Sequence, residues 1–291
     1  MSTLKTLKGS ICVIVVTGGS GFIGTALCKE LFRKRMDFKI ADVIQPRNFS
    51  GNFKETNITQ PGELDRLLHK GDTVVHLAAL VNAHESDEKR EEYFKVNIEG
   101  TFNVVNACIA KGCKIVFTSS VAVYDPRLEG PIKETSNLAP ENFYGVTKLI
   151  CEGLIEHSGI PYVILRPTNA YGPGGRGVIN SFVKKAVMGF PMEVWAGGDQ
   201  ERDFIHVDDV VSALLLGIDR SSGTYNISSG ENIRISALAE LVNKLAGSKS
   251  KITFRNKKEG KIKYSVPSWK AKKELGFEPR VSLREGIKGL L

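Results

Sequence analysis

The sequence predicts an α/β protein with a Rossmann-type, doubly wound parallel sheet and a smaller C-terminal α/β lobe. Strand-like and helix-like patterns alternate through the first two thirds of the 291 residues, a glycine-rich turn follows the first strand, and the alternation ends at Tyr171–Gly175. Strands that alternate with helices form parallel sheets with right-handed crossovers. We therefore expect one domain over residues 1–170, with 204–227 returning to it, and a smaller substrate-binding lobe over residues 171–291.

Apolar runs predict the strands, and apolar residues at helical spacing predict the helices between them. The larger domain is predicted to contain strands at 11–16, 38–42, 53–57, 72–77, 113–118 and 160–166, and helices at 22–35, 61–69, 88–111 and 143–158. Shorter elements are predicted after it, with helices at 178–188, 208–219, 234–246, 268–275 and 283–289 and strands at 192–195 and 223–227. The helices at 88–111 and 143–158 are long, so we expect them to form a subunit interface.

The composition is typical of a globular protein, with 42% hydrophobic and 25% charged residues. The five cysteines are odd in number and lie inside apolar patterns, so we expect buried free thiols in a reducing compartment. No apolar run approaches the roughly 18 residues that a membrane span needs. The N-terminal apolar stretch is too short for a signal peptide. A cytoplasmic protein without a membrane partner is the expectation.

The net charge of +8 is concentrated near the C-terminus. Residues 249–291 contain 13 Lys and Arg against four Asp and Glu, whereas the rest of the chain sums to −1. We interpret this stretch as a solvated surface, with attraction of a diphosphate substrate as the second interpretation. It holds no nucleic-acid motif, and few aromatic residues apart from Tyr264 and Trp269, so nucleic acid ranks third.

The glycine-rich turn is the strongest local signal. A strand over Cys12–Val16 leads into Gly18, Gly21 and Gly24, which open a helix. Glycines at this spacing permit a sharp turn, close approach of a pyrophosphate and close packing of helix on strand, while the helix N-terminus favours an anion. Asp42 ends the next strand, where a carboxylate binds a ribose hydroxyl pair and favours NAD over NADP. Arg47, five residues later, is interpreted as a solvated loop residue.

A second signal is the pair Tyr144 and Lys148, which lie one turn apart on one face of a predicted helix. A nearby cation stabilises a phenolate, so a tyrosine with an ordinary pKa of about 10 can exchange protons near neutral pH. Ser119 and Ser120 close the strand at 113–118, at the edge where a cofactor would lie. The three elements together indicate proton transfer beside a nicotinamide.

An ordered series of motifs covers residues 11–290 and resembles the extended short-chain dehydrogenases/reductases, in the branch of NAD-dependent nucleotide-sugar epimerases and dehydratases. Besides Asp42, the series comprises TGGSGFIG at 17–24, HLAA at 76–79, VNIEGT at 96–101, TSSVAVY at 118–124, YGVTK at 144–148, LRPTNAYGP at 165–173, RDFIHVDDV at 202–210 and KAKKELGF at 270–277.

The resemblance implies a catalytic triad. In it Tyr144 moves the proton, Lys148 lowers the pKa of that tyrosine and holds the nicotinamide ribose, and Ser120 hydrogen-bonds the reacting oxygen. The NAD-binding residues that it implies are Gly18, Gly21, Phe22, Ile23, Gly24, Asp42, Val43, Asn57, Ile58, Leu77, Ala78, Ala79, Asn97, Thr118, Tyr144, Lys148 and Pro167. Asn57 stands where the family commonly has Asp, and its amide can still pair with the adenine amino group. For Asn97, a hydrogen-bonding role within the helix is an equal alternative.

The resemblance also implies a nucleotide-diphosphate sugar as substrate and a homodimer as assembly. The substrate-binding residues would be Ser120, Asn169, Asn180, Trp195 and Arg202. The planar fork of Arg202 suits a diphosphate, although an ion pair with a nearby Asp is the alternative, and Trp195 could belong to the core of the lobe. No spacing supports a metal site, so structural roles are expected for His76, His84 and His206.

The residues after Ser120 distinguish members of this branch. Dehydratases that resemble this chain carry a carboxylic acid pair there and decarboxylases carry a Glu, whereas this chain has Val121 and Ala122. We therefore expect a 4-epimerase acting on a UDP-hexose such as UDP-glucose or UDP-galactose. The alternative is an oxidoreductase with net cofactor turnover, and the third reading is a non-catalytic NAD-binding or nucleic-acid-associated protein. Asp125 replaces the usual Gly after Tyr124, and we expect this change to reshape the loop near the sugar.

Overall fold

The computed structural model describes residues 12–220, 222–255 and 264–291. The strands are β1 Ile14–Thr17, β2 Phe38–Asp42, β3 Phe53–Glu55, β4 Thr73–His76, β5 Lys114–Thr118, β6 Gly130–Pro131, β7 Tyr162–Pro167, β8 Asn169–Tyr171, β9 Met192–Trp195, β10 Glu201–His206, β11 Ser222–Ile227, β12 Asn232–Arg234, β13 Ile252–Arg255 and β14 Tyr264–Ser265. The helices are α1 Phe22–Arg33, α2 Ala83–Ser86, α3 Arg90–Tyr93, α4 Gly100–Lys111, α5 Phe143–Glu156, α6 Val178–Met188, α7 Val207–Ile218, α8 Ile235–Ala246, α9 Trp269–Leu275 and α10 Leu283–Lys288.

The large sheet has seven strands in the order β11-β7-β5-β4-β1-β2-β3, and every neighbouring pair in it is parallel. This arrangement confirms the predicted doubly wound parallel sheet. The chain runs outward from β1 to β3, then returns to the other side of β1 at β4, so the strand order reverses between β1 and β4. The carboxyl ends at such a reversal form the crevice in which α/β proteins bind their ligands.

The two faces of the large sheet form two hydrophobic cores. Val16 packs in the core that includes residues of α1 and α7, and Val15 packs in the core that includes residues of α4 and α5. Neighbouring side chains of β1 reach different cores because successive residues of a strand point to opposite faces. Both valines are fully buried, so β1 is covered on both sides and is held firmly in place.

The smaller lobe is built on short sheets and a third core. Strand β10 pairs with β8 in parallel and with β12 in antiparallel, and β13 pairs with β9. Helices α6 and α8 contribute Phe182 and Leu238 to this third core. Of the predicted return at 204–227, β11 lies in the large sheet and α7 packs against it, whereas Phe204–His206 belongs to the three-stranded sheet of the lobe. The return to the large sheet therefore begins at α7.

Three predictions about local structure were wrong in part. The helix predicted at 61–69 is a single 3-10 turn over Leu64–Arg66, because Gly62 takes a left-handed φ of +80° that a helix cannot contain. The helix predicted at 88–111 is interrupted between α3 and α4 by a π-helical segment, Phe94–Glu99. All five cysteines are free, as predicted, but Cys12 is exposed.

In the described ranges, no helix combines the length and the apolar character that crossing a membrane requires. The first residue of the strand predicted at 11–16, and residues 256–263 of the basic stretch, lie outside the described residues.

Candidate active site

The glycine turn after β1 brings the backbone of two loops together. Gly18 has a φ of +70°, and a Cβ placed on it would lie 2.6 Å from the backbone nitrogen of Ala78. At Gly24, a Cβ would lie 2.6 Å from the Cα of Gly19 and would overlap the carbonyl oxygen of Gly18. Glycine is therefore required at both positions, once for backbone conformation and once for the packing of α1 on the turn.

The N-terminus of α1 presents backbone N–H groups to the crevice. Its N-cap is Gly21, which provides no side-chain cap, and its first turn carries no acidic residue. Unpaired N–H groups and the positive end of the helix dipole form a site for a phosphate. Phe22 and Ile23, the first residues of α1, are partly buried there. The turn therefore fits the pyrophosphate of a dinucleotide.

Asp42 ties the end of β2 to the glycine turn. Its carboxylate accepts hydrogen bonds from the backbone N–H of Ser20 at 3.0 Å and of Ile44 at 3.1 Å. These bonds hold both carboxylate oxygens beside the turn, where a ribose bound through its pyrophosphate would extend. Val43 follows with 57% of its side chain exposed, so it can cover a ligand at this edge.

Asn57 lies at the carboxyl end of β3 and is already engaged within the protein. Its Oδ1 accepts from both the backbone N–H and the hydroxyl of Thr59, at 3.0 and 2.9 Å. Because a backbone N–H can only donate, the atom that faces Thr59 is the oxygen, and its two lone pairs are taken. Nδ2 is therefore the group that is left to face a base, and the expected contact of Asn57 with adenine stays a prediction. Ile58 is buried against Gly100.

Leu77–Ala79 passes directly behind the glycine turn and is held by Asn97. The Asn97 amide nitrogen donates to the Leu80 carbonyl and to the Thr147 hydroxyl, both at 3.0 Å, and Oδ1 accepts from the Leu80 N–H at 2.8 Å. These bonds use both hydrogens of the amide and one lone pair of its oxygen, which favours the alternative of a hydrogen-bonding residue. Asn97 thus connects the loop that passes the cofactor to the helix that carries Tyr144.

Ser120 and Tyr144 meet where the turn after β5 touches the start of α5. Asn142 caps this helix by accepting from the N–H of Gly145 at 2.9 Å. A Cβ on Gly145 would overlap the carbonyl oxygen of Ala122, so glycine lets the helix rest directly on the turn that follows Ser120. The Ser120 side chain then lies close enough to Tyr144 to lower its pKa. The predicted pair is thus brought together with the help of the glycine that follows Tyr144.

Burial dominates the electrostatics of Tyr144 and Lys148. Burial raises the pKa of Tyr144 to about 12, and the nearby Ser120 side chain opposes this rise. Lys148 Nζ donates to the Thr118 carbonyl at 2.8 Å, and burial lowers the pKa of Lys148 to about 8. The ammonium lies 5.9 Å from the centre of the Tyr144 ring. Lys148 is not among the groups that shift the pKa of Tyr144 here, so the lowering of that pKa by Lys148 stays a prediction.

The end of β5 carries polar atoms without protein partners. The hydroxyls of Thr118 and Ser119 are buried, and neither has a hydrogen-bond partner within the described part of the chain. Buried hydroxyls are nearly always bonded, so these two can receive a bound group or ordered water. Pro167, buried at the end of the neighbouring strand β7, lies at the same edge of the sheet.

Apart from Ser120, which follows β5, the predicted substrate-binding residues lie in or beside the smaller lobe. Asn169 Nδ2 donates to the Asp203 carbonyl at 2.8 Å, and Asn180 Nδ2 donates to the Gly172 carbonyl at 2.8 Å. Arg202 Nη2 donates to Gln200 Oε1 at 3.0 Å. Trp195 ends β9 with 44% of its side chain exposed, so it is not a buried core residue.

Two of the histidines considered above, His76 and His206, are engaged by other groups of the protein. His76 is enclosed between the hydroxyls of Thr17 and Thr101, at 2.7 and 2.9 Å, and burial lowers its pKa to about 3. His206 caps α7 by accepting from the Asp208 N–H. Across the described ranges, no group of three or more His, Cys, Asp or Glu is arranged to hold a metal ion.

Sequence reasoning did not identify the buried ion pair that supports the site. Arg166 on β7 forms a bidentate pair with Glu152 on α5, at 2.9 and 2.6 Å, and also donates to the Tyr124 hydroxyl at 2.8 Å. It thereby joins the catalytic helix to the loop after Ser120. The position of Glu152, one turn after Lys148, was the available signal. Asp125, in place of the usual Gly, holds the backbone and guanidinium of Arg127.

A model of the NAD dependent epimerase/dehydratase family matches residues 14–228. A protein of Methanocaldococcus jannaschii named putative UDP-glucose 4-epimerase is 30% identical, over 95% of this chain and 96% of its own. A UDP-glucuronic acid decarboxylase of Arabidopsis thaliana is 29% identical, over 94% of this chain and 68% of its own. A dTDP-4-dehydro-6-deoxyglucose reductase of Escherichia coli is 28% identical, with 96% of each chain covered.

A solved structure with the same fold is that of MoeE5 in complex with UDP-glucose and NAD. It superimposes with a TM-score of 0.89 at 30% identity, over 95% of this chain and 96% of its own. The likeness therefore extends across both the large sheet and the smaller lobe.

Proposed function

The chain belongs to the NAD-dependent epimerase/dehydratase family, with NAD as its cofactor, and within that family we propose that it is a nucleotide-sugar 4-epimerase. The substrate would be a UDP-hexose such as UDP-glucose or UDP-galactose, as the names of the relatives suggest. The observation that carries the proposal is the meeting of Ser120 with Tyr144 on a turn whose next residues, Val121 and Ala122, are apolar.

NAD, when bound, supplies the capacity to take hydride from C4 of the sugar and to give it back. Tyr144 would hold and move the proton of the 4-hydroxyl, and the Ser120 hydroxyl would bond the same oxygen. A tyrosine with a pKa near 12 is protonated at neutral pH, so it is ready to donate to a developing oxyanion. Removal of the proton requires a shift of this pKa in the loaded site, to which a cation such as Lys148 is suited.

The diphosphate rather than the hexose would be the part of the substrate that the protein grips. Arg202, Asn169 and Asn180 offer a guanidinium and two amides on neighbouring elements of the smaller lobe. A guanidinium donates to phosphate oxygens in a planar fork. A substrate held through its diphosphate can turn its 4-keto sugar over, which a 4-epimerase needs and which a tight sugar site would prevent.

Elimination and decarboxylation need an acid or base after Ser120. Val121 and Ala122 form a 3-10 turn there with Val123, and none of these side chains can donate or accept a proton. The similarity to the Arabidopsis thaliana decarboxylase therefore supports a reaction for this chain less strongly than the similarity to the named epimerase does.

A ketosugar reductase or sugar-nucleotide dehydrogenase is the second candidate. The Escherichia coli relative is named as a reductase, and the same triad serves a single oxidation or reduction. The two candidates differ in whether the cofactor is regenerated within one turnover. A non-catalytic role for the fold would make the closeness of Ser120 to Tyr144 unnecessary.

We also propose that the protein is a homodimer. Three apolar side chains before and within α4, those of Phe94, Phe102 and Ile109, are 46–50% exposed, and Ile150 on α5 is 41% exposed. Apolar side chains clustered on two neighbouring helices mark a protein–protein surface. Size-exclusion chromatography with light scattering tests this directly: a species near 64 kDa supports the dimer, and only a species of 31.9 kDa contradicts it.

The reaction is tested by incubating the protein with UDP-glucose, UDP-galactose and their N-acetyl counterparts, without added cofactor. Interconversion of 4-epimers without net NADH supports the epimerase. Stoichiometric NADH that appears only after NAD⁺ is added supports the dehydrogenase instead. No reaction in either assay, with NAD still bound, favours the non-catalytic reading.

A further inference from the structure

We propose that Asp203 is a positioning residue of the sugar-nucleotide site, because its carboxylate anchors the strand that carries Arg202 and the carbonyl that holds Asn169. This inference rests on the proposed function, which makes those two residues ligands of the substrate. Asp203 lies on β10, in the three-stranded sheet, and its side chain is 5% exposed.

The carboxylate of Asp203 accepts four hydrogen bonds. Oδ1 accepts from the Thr168 hydroxyl at 2.6 Å and from the Ser229 N–H at 3.0 Å. Oδ2 accepts from the Ser229 hydroxyl at 2.9 Å and from the Gly230 N–H at 2.7 Å. Three separate segments of the chain therefore converge on one side chain: the junction between β7 and β8, strand β10, and the turn after β11.

The segments that converge on Asp203 come from both the large sheet and the smaller lobe. Strands β7 and β11 are parallel neighbours in the large sheet, and Thr168 and Ser229 follow their carboxyl ends. Strand β10 belongs to the smaller sheet, where it pairs with β8 and β12. The Asp203 carboxylate thus fixes the smaller sheet at the edge of the large sheet where ligands of α/β proteins bind.

Two of the three proposed diphosphate ligands, Arg202 and Asn169, are positioned by this anchor. Successive side chains of a strand point to opposite faces, so with the Asp203 carboxylate fixed on one face, Arg202 is directed to the other. Asn169 is held by the same residue, because its Nδ2 donates to the Asp203 backbone carbonyl at 2.8 Å. A shift of β10 would move the guanidinium and release this amide at the same time.

Only a carboxylate satisfies the four donors. Asparagine has the same shape but one acceptor oxygen, and either orientation turns its NH₂ toward a backbone N–H, that of Ser229 or that of Gly230. Two facing donors cannot bond, so Asp203→Asn should loosen the anchor without a change in side-chain volume. Thr168→Val removes one of the four bonds at nearly constant shape, and Thr168→Ser keeps it.

Asp209 provides a matched control. It is also buried, at 3% exposure, and its carboxylate accepts the backbone N–H groups of Arg280 at 2.8 Å and Val281 at 3.1 Å. Asp209→Asn therefore breaks the same kind of bond on α7, at a place with no proposed ligand. A loss of stability alone should affect both variants alike.

The experiment compares Asp203→Asn, Thr168→Val, Thr168→Ser and Asp209→Asn by UDP and NAD calorimetry and by steady-state kinetics. For Asp203→Asn we expect the Kd for UDP and the KM for the sugar nucleotide to rise by about tenfold, with kcat within about twofold and NAD affinity unchanged. For Thr168→Val we expect a rise of about threefold in both constants, and for Thr168→Ser and Asp209→Asn no rise.

Unchanged UDP affinity in Asp203→Asn and Thr168→Val overturns the inference. So does an equal loss of UDP and NAD affinity in Asp203→Asn and Asp209→Asn, which would show a structural role only. If Asp203→Asn does not fold, the contrast between Thr168→Val and Thr168→Ser decides. Arg202→Ala separates this inference from the proposed function: if it leaves UDP affinity intact, the proposed diphosphate site is wrong, whatever Asp203 does.

Discussion

The two halves of this molecule place their functional groups by different physical means. In the large sheet, the cofactor turn depends on backbone conformation, since Gly18 and Gly24 sit where any side chain would meet neighbouring backbone. In the smaller lobe, the proposed substrate ligands are side chains whose positions depend on hydrogen bonds from distant segments, as Asn169 depends on Asp203. The first kind of site is determined by residues that are close together in the sequence. The second kind forms only when residues distant in the sequence come together in the folded chain.

This difference implies different responses to mutation. A backbone-determined turn tolerates almost no added volume, so single substitutions there should abolish binding. A side-chain-determined site should lose affinity in steps as its bonds are removed. The proposed catalytic tyrosine combines both kinds of placement, because Tyr144 is positioned by the contact at Gly145 but would act through its hydroxyl.

The largest effect is expected for Tyr144→Phe. The ring keeps its packing, but the proton carrier at the 4-hydroxyl is lost, so kcat should fall by about 10³-fold or more while NAD remains bound. Turnover of UDP-hexose and calorimetry with NAD measure the two quantities. Activity close to that of the unmodified protein would refute the role assigned to this tyrosine.

Gly18→Ala should abolish most cofactor binding. The substitution forces a side chain into a φ of +70° and places its Cβ 2.6 Å from the Ala78 nitrogen, so we expect NAD affinity to fall by about 100-fold or more. Gly153→Ala is the control, because its added Cβ meets no atom within 4 Å and alanine favours the middle of α5. That variant should bind NAD normally, and similar NAD affinity in both variants would contradict the backbone argument.

A smaller effect is expected from pH. His76 is fully buried between two threonine hydroxyls, and burial lowers its pKa from 6.5 to about 3. Between these values the unfolded chain binds more protons than the folded one, so this group's contribution to stability is present above pH 6.5 and is lost as the pH falls toward 3. At pH 5 the loss should be about 2 kcal/mol relative to pH 7.

Urea unfolding at pH 7 and pH 5 measures this loss. The His76→Gln variant is the reference, since glutamine can still bond to the hydroxyls but does not titrate. The difference in unfolding free energy between the two pH values should be about 2 kcal/mol smaller in the variant. Equal pH dependence in both proteins would show that His76 is not held neutral by its burial.

The sequence was sufficient for the features that depend on neighbours along the chain. The parallel sheet, the turn at Gly18–Gly24 and the closeness of Ser120 to Tyr144 followed from periodicity, spacing and motif order. The π-helical segment at Phe94–Glu99 did not, because it belongs with the long-range bonds of Asn97 to Leu80 and Thr147.

Hydrogen bonds between residues far apart in the sequence were the main features that the sequence did not predict. The Arg166–Glu152 pair and the four donors on Asp203 join segments that only the folded chain brings together. The hydrogen bond of Lys148 to the Thr118 carbonyl also required the structure. The spacing along α5 predicts that Tyr144 and Lys148 are close to each other, but it does not predict which acceptor the lysine ammonium binds.

The most direct test of the central claim follows the hydrogen at C4. The protein is incubated with UDP-glucose deuterated at C4, in ordinary water, with unlabelled NAD⁺ present in excess. An epimerase that returns the same hydride should yield UDP-galactose with deuterium retained at C4 and none in the added cofactor. Transfer of deuterium to the added cofactor, or accumulation of a labelled cofactor without the epimer, would show net oxidation and contradict the account.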